Sequence, residues 1–173
     1  SSSETLRVPA DFETIPEAIA AAVDGDRIVV SAGEYVLLDT LRFFGKRIVL
    51  ESEEGPERTR LRRPPNHLGE AVVCFDWGET QESVLRGFAI TDSPNRGIAV
   101  QNASPSIEGN WIHRAAWVGI HVLNGAPLIL RNTIAWCGIS WGERSSGYGI
   151  YLSRTEAELL DNEIIENGGA GIS

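Results

Sequence analysis

Hydrophobic residues in the second half of the chain fall in short alternating runs that return in the same order. Gly97-Ile98-Ala99-Val100 recurs as Gly119-Ile120-His121-Val122 and as Gly149-Ile150-Tyr151-Leu152, and Gly171-Ile172-Ser173 opens a further copy, at spacings of 22, 30 and 22 residues. A second motif keeps step with the glycines. Pro105-Ser106-Ile107-Glu108-Gly109-Asn110-Trp111-Ile112 matches Pro127-Leu128-Ile129-Leu130-Arg131-Asn132-Thr133-Ile134 and then Ala157-Glu158-Leu159-Leu160-Asp161-Asn162-Glu163-Ile164, with a looser copy at Val84-Leu85-Arg86-Gly87-Phe88-Ala89-Ile90. Alternation over a few residues is the mark of a half-buried strand, so each unit reads as two or three short strands with no helical stretch between them.

The N-terminal part has a different period. Ile15, Ala18, Ile19 and Ala22 make one apolar stripe, Thr14 and Glu17 have the spacing of a capping box, and Pro16 suits a first turn. A short helix is predicted over 15–23, ended by Asp24-Gly25-Asp26 and followed by a strand at Arg27-Ile28-Val29-Val30. From about 36 to 95, β-rich stretches such as Arg47-Ile48-Val49-Leu50, Ala71-Val72-Val73-Cys74-Phe75 and Ser83-Val84-Leu85 alternate with polar turns. Arg58, Arg60, Arg62 and Arg63, running up to Pro64-Pro65, are expected to form a solvated loop.

Repeats of this length without helices exclude ankyrin and tetratricopeptide arrays, and the leucine-rich consensus is absent. A unit of this size closes one turn of a parallel β-solenoid, in which each strand pairs with its copy one turn away and the apolar side chains stack inside. Identical residues then form ladders. Asn110, Asn132 and Asn162 are expected to stack at a bend in left-handed geometry, each side-chain amide bonding its copies. The predicted fold class is all-β, a parallel β-helix with a short N-terminal capping helix, as a single domain over 1–173 with units at about 97–118, 119–148 and 149–170.

Composition narrows the partners. The chain has 173 residues, 42% hydrophobic and 23% charged, which suits one core. Its net charge of −9 opposes phosphate backbones, so nucleic acid is not an expected partner, and no apolar run approaches a membrane span. An opening Ser1-Ser2-Ser3, the absence of Met and the unfinished copy at Gly171 suggest an excised piece truncated at its C-terminus. Cys74 and Cys137 have no metal-ligand spacing and are expected to be unlinked buried thiols.

The Gly-Ile-x-Val and Pro-x-Ile-x-x-Asn-x-Ile units resemble the right-handed parallel β-helix repeats of the pectin-lyase-like superfamily. Residues 8–35 are similar to the superfamily's N-terminal helix and first strand, and the resemblance extends over nearly the whole chain, most closely to secreted bacterial β-helix proteins. It implies a right-handed helix whose N-terminal end is plugged by the 15–23 helix, a secreted or cell-surface location and a polysaccharide or oligosaccharide partner. It also implies further turns beyond Ser173, and an open C-terminal edge through which copies associate end to end. The Asn-x-Asp, Asp-Asp, Gly-His-Gly and Arg-x-Lys segments of the superfamily's galacturonan hydrolases are absent, as is the pectin methylesterase segment, so no reaction is assigned. No cofactor is expected; calcium, which lyases of this fold hold through clustered acids, is left open without a motif to indicate it.

Candidate chemistry follows from the repeat. With Ile98, Ile120 and Ile150 inward, alternation sends Ala99, His121 and Tyr151 outward on one ladder, with His121 beside Tyr151. The longer unit carries its surplus at 138–148, just before that strand, where protruding loops commonly line a binding face. Trp141, Tyr148 and Tyr151 offer ring faces to sugars, while Glu143, Arg144 and His121 offer groups for hydroxyls or a carboxylate, with His121 or Glu143 as candidate acid or base. The alternative is a plain surface loop with Trp141 packed back on the solenoid. Trp111 and His113, followed by Arg114 and Trp117, form a second candidate platform or an external stacking ladder, and the spacing of His113 and His121 does not suggest a metal pair. The leading function is a polysaccharide-binding domain that also processes its ligand in one version. An inert structural or adhesin scaffold, and a lyase, hydrolase or epimerase with its site partly beyond Ser173, stay open.

Overall fold

In a computed structural model, which describes residues 2–66, 70–140, 143–144 and 147–173 with only the backbone of Ser140, Glu143 and Arg144, the chain winds through three parallel sheets. The first sheet stacks Thr5–Val8, Arg27–Val30, Val49–Ser52, Val84–Arg86, Ser106–Glu108, Leu128–Leu130 and Glu158–Leu160. The second stacks Gly33–Val36, Thr59–Arg62, Ala89–Thr91, Trp111–His113, Thr133–Ala135 and Glu163–Ile165. The third stacks Leu41–Arg42, Ala71–Phe75, Arg96–Gln101, Val118–Leu123 and Tyr148–Ser153, and a parallel bridge joins Ile150 to Ile172. The expected all-β solenoid with one short helix is therefore the architecture found.

Alternation decides what fills the interior. Ile28, Leu50, Leu85, Ile107 and Ile129 stack inward from the first sheet, Leu61, Ile90, Ile112 and Ile134 from the second, and Val73, Ile98, Ile120 and Ile150 from the third, all buried in one continuous core. The repeat glycines are required by close approach. A Cβ on Gly119 would stand 2.6 Å from the Gly149 carbonyl oxygen and 2.7 Å from Ile134 Cγ2, and Gly97 and Gly149 are hemmed in the same way by Ile112 and Ile164.

The asparagine ladder forms at the corner between the first and second sheets. The backbone N–H of Asn110 donates to Asn132 Oδ1 at 3.0 Å, that of Asn132 donates to Asn162 Oδ1 at 3.0 Å, and each Nδ2 turns back to a carbonyl of the preceding turn, Leu85 for Asn110 and Ile107 for Asn132. Phe88 begins the ladder by donating its N–H to Asn110 Oδ1. The left-handed residue is not the asparagine, as the sequence led us to expect, but the one before it: Gly109, Arg131 and Asp161 have φ of 59°, 52° and 53°, and Gly87, before Phe88 at the same corner, has 77°. The bend needs one residue to reverse the chain and the next to bridge the turns, and these are separate tasks. Corners after the second sheet use Asp92, Arg114, Trp136 and Glu166 in the left-handed region, and those after the third use Asn102, Asn124 and Arg154.

The helix runs over Ile15–Ala21, with Thr14 and Glu17 forming the capping box and Ile15, Ala18 and Ile19 buried toward the core. It stops two residues short of the predicted 15–23 because Ala22 is already extended. Its last carbonyls are satisfied from a distant part of the chain: Lys46 Nζ donates to Ile19, Ala20 and Ala22 oxygens at 2.6, 2.9 and 2.8 Å, placing a cation where the helix dipole favours one. The arginine run is not a loop. Thr59–Arg62 is a strand of the second sheet with Leu61 inward, Arg62 pairs with Glu34, and Arg63 is buried with Nη1 3.3 Å from Thr40 Oγ1. Alternation of arginine with leucine suits an edge between core and water, which the charge count alone conceals.

Two substitutions test this packing by urea unfolding. Asn132→Ala strands the Asn110 N–H and the Ile107 carbonyl in a buried corner and is expected to cost about 3 kcal/mol. Gly119→Ala, which would stabilise an open strand, is instead expected to cost about 2 kcal/mol because the added methyl meets backbone and a core isoleucine; unchanged midpoints would contradict the ladder and the close approach respectively.

Candidate functional site

The outer face of the third sheet is built from one register position repeated at each turn: Arg42, Cys74, Ala99, His121 and Tyr151 are successive neighbours. Small residues hold its middle part. Ala71, Cys74 and Ala99 form a separate buried cluster, and burial pushes the Cys74 thiol up to about 12, so it stays protonated and inert. Cys137 is also free and buried in the core, its thiol raised by burial to about 11, in line with two unlinked thiols.

Where the ladder reaches its larger residues, four rings gather. The centroids of His121 and Tyr151 lie 5.3 Å apart, Tyr148 and Tyr151 5.2 Å, Trp117 and His121 5.5 Å, and Trp117 and Tyr151 6.5 Å. Arg96 closes one side with its guanidinium carbon 5.0 Å from the Trp117 ring centre, a separation at which the cation is drawn to the ring face. Arg96, Val118 and Tyr148 occupy one register position, which is how an arginine and a tyrosine come to flank the ladder.

The surplus of the longer unit leaves and rejoins the solenoid at two glycines. A Cβ on Gly147 would lie 2.2 Å from Gly138 Cα and 2.2 Å from the Trp117 carbonyl oxygen, so the two stems touch backbone to backbone directly behind Trp117. Between them Ile139–Ser140 and Glu143–Arg144 pair as an antiparallel hairpin. Trp141 lies outside the described residues, and Glu143 and Arg144 are placed by their backbone only.

The structure thus brings together His121, Tyr148 and Tyr151 from the sequence-based candidates. Trp111 and His113 stand on the outer face of the second sheet, aligned with Thr133 and Ala135, and His113 meets Trp136 edge-on at 6.2 Å. Trp136 is held by a 2.6 Å bond from Nε1 to Glu166 of the next turn, so this group is a stack along the corner, separate from the third-sheet cluster. Trp117, grouped with Trp111 in the sequence, belongs instead with His121, and Arg96 was not singled out at all. Comparing the residues just before each repeat glycine would have found it.

Electrostatically the cluster is mild. Burial, and secondarily the charge of Arg96, holds the His121 imidazole below its ordinary 6.5, so at neutral pH it offers one N–H donor and one bare nitrogen acceptor. His113 is lowered likewise, by burial first and then by Arg114. Among the described residues no carboxylate is hydrogen-bonded or ion-paired to His121, and no group of three or more His, Cys, Asp or Glu is arranged to hold a metal ion. What the arrangement does offer is exposed ring surface, with Trp117 37% accessible, beside a neutral imidazole, two phenols and one guanidinium.

The model of the family described as right handed beta helix region matches residues 73–173, and the chain belongs to that family. No curated protein and no solved structure matches it significantly.

Both histidines bind a proton less readily folded than unfolded, so their contribution to stability is intact above 6.5 and is lost as the pH falls below that value. The urea midpoint is expected to be lower at pH 5.5 than at 7.5, and the double variant His113→Gln, His121→Gln to flatten that difference; an unaltered pH slope would show that neither imidazole is desolvated.

Proposed function

We infer that this β-helix is a polysaccharide-binding domain of a secreted or surface protein, holding a glycan against the outer face of its third sheet. The observation that carries this reading is the four-ring cluster of Trp117, His121, Tyr148 and Tyr151 beside Arg96. Aromatic rings bury the C–H faces of sugars while their polar edges stay hydrated, and a neutral imidazole, phenols and a guanidinium supply directional bonds to hydroxyls. His121, Tyr148 and Tyr151 project from two adjacent hydrogen-bonded strands and Trp117 from the bend that leads into the first of them, so the surface is organised before a ligand arrives, which limits the ordering cost of binding. His121, with no carboxylate to orient it among the described residues, acts here as a hydrogen-bonding group.

Affinity electrophoresis in gels containing a panel of neutral and acidic polysaccharides tests this. At least one glycan is expected to retard the protein, with Trp117→Ala and Tyr151→Ala each weakening the interaction about tenfold, or about 1.4 kcal/mol, and Trp111→Ala leaving it unchanged. Retardation by none of the glycans would favour an inert scaffold, and equal loss in all three variants would move the site off the third sheet.

A further inference from the structure

A cavity lies at the N-terminal cap, between the helix and the segment 34–44. It encloses about 580 Å³, within the range of small-ligand sites. Its floor is made by Ile15, Ile19 and Leu41, side chains that also close the end of the core. At its rim Leu38 is 71% and Phe44 54% exposed, and Phe44 is braced edge-on by Trp77 at 5.7 Å. A single exposed leucine means little, but apolar side chains converging on a concave surface with an apolar floor mark a place for an apolar body.

The charges around the cleft select what that body carries. Two of its charged residues are already matched, Glu34 by Arg62 and Arg42 by Asp76, the latter at 3.2 Å. The remaining two, Glu13 and Asp39, are exposed carboxylates with no hydrogen bond or ion pair among the described residues. The local field is therefore negative, and the net charge of −9 reinforces it at longer range. An anionic ligand would meet two uncompensated carboxylates there, whereas a cation would neutralise them.

We propose that this cleft binds an organic cation with an apolar body, an alkyl- or aryl-ammonium group, its hydrophobic part on Ile15, Ile19 and Leu41 and its ammonium toward Glu13 and Asp39. The site is remote in sequence from the third-sheet rings and independent of any glycan bound there.

Isothermal titration of the whole chain with 4-phenylbutylamine and with 4-phenylbutyrate, which share an apolar body and differ in the sign of the head, decides the matter. The amine is expected to bind and the carboxylate not to. Glu13→Gln with Asp39→Asn should weaken the amine about fivefold, as should 1 M salt, since the pairs are exposed. Leu38→Ser, a surface change that leaves the core intact, should weaken it as well. Equal binding of both probes, binding of neither, or an amine affinity indifferent to the double variant would each overturn the proposal.

Discussion

In-register stacking of parallel strands places every residue about 4.8 Å from its counterpart one turn away, and this constraint governs the whole molecule. It rewards positions where like neighbours attract. Inward isoleucines interdigitate, and a buried asparagine both accepts an N–H from the turn before and returns its own amide to a carbonyl there, so the corner most difficult to solvate is also fully bonded. The repeat glycine serves the same register by letting the third sheet approach the isoleucines of the second.

Like charges at the same spacing would repel, and the outer face of the first sheet shows the solution. Glu51, Arg86 and Glu108 occupy one register position on successive strands, with Arg86 reaching Glu51 at 3.1 Å and Glu108 at 3.0 Å, while Arg27 closes on Glu51 from the other side. Alternation of sign along the stack turns a repulsive ladder into a chain of pairs. A chain with 24 acidic and 15 basic residues can therefore wind into a solenoid without stacking its excess charge on one face.

The third sheet uses the register differently. After Arg42 its outer position passes through buried Cys74 and Ala99 to His121 and Tyr151, so a surface sealed at the two middle turns becomes a ring-bearing face in the later ones. The inserted hairpin begins beside that face because Gly138 and Gly147 let its two stems meet against the Trp117 backbone. Scaffold and candidate site are products of one repeat, varied at the positions that point outward.

By itself the sequence determined the repeat and its register, the inward isoleucines, the capping box and the adjacency of His121 and Tyr151, because period-two alternation and a regular spacing are local properties that survive folding unchanged. Only the tertiary structure decided which corner residue turns left-handed, that Arg63 is buried, that Lys46 ends the helix, and that Trp117 and Arg96 rather than Trp111 and His113 join the ring cluster. Those outcomes depend on the direction in which a corner throws its side chains and on contacts between distant segments. Neither leaves a periodic trace along the chain.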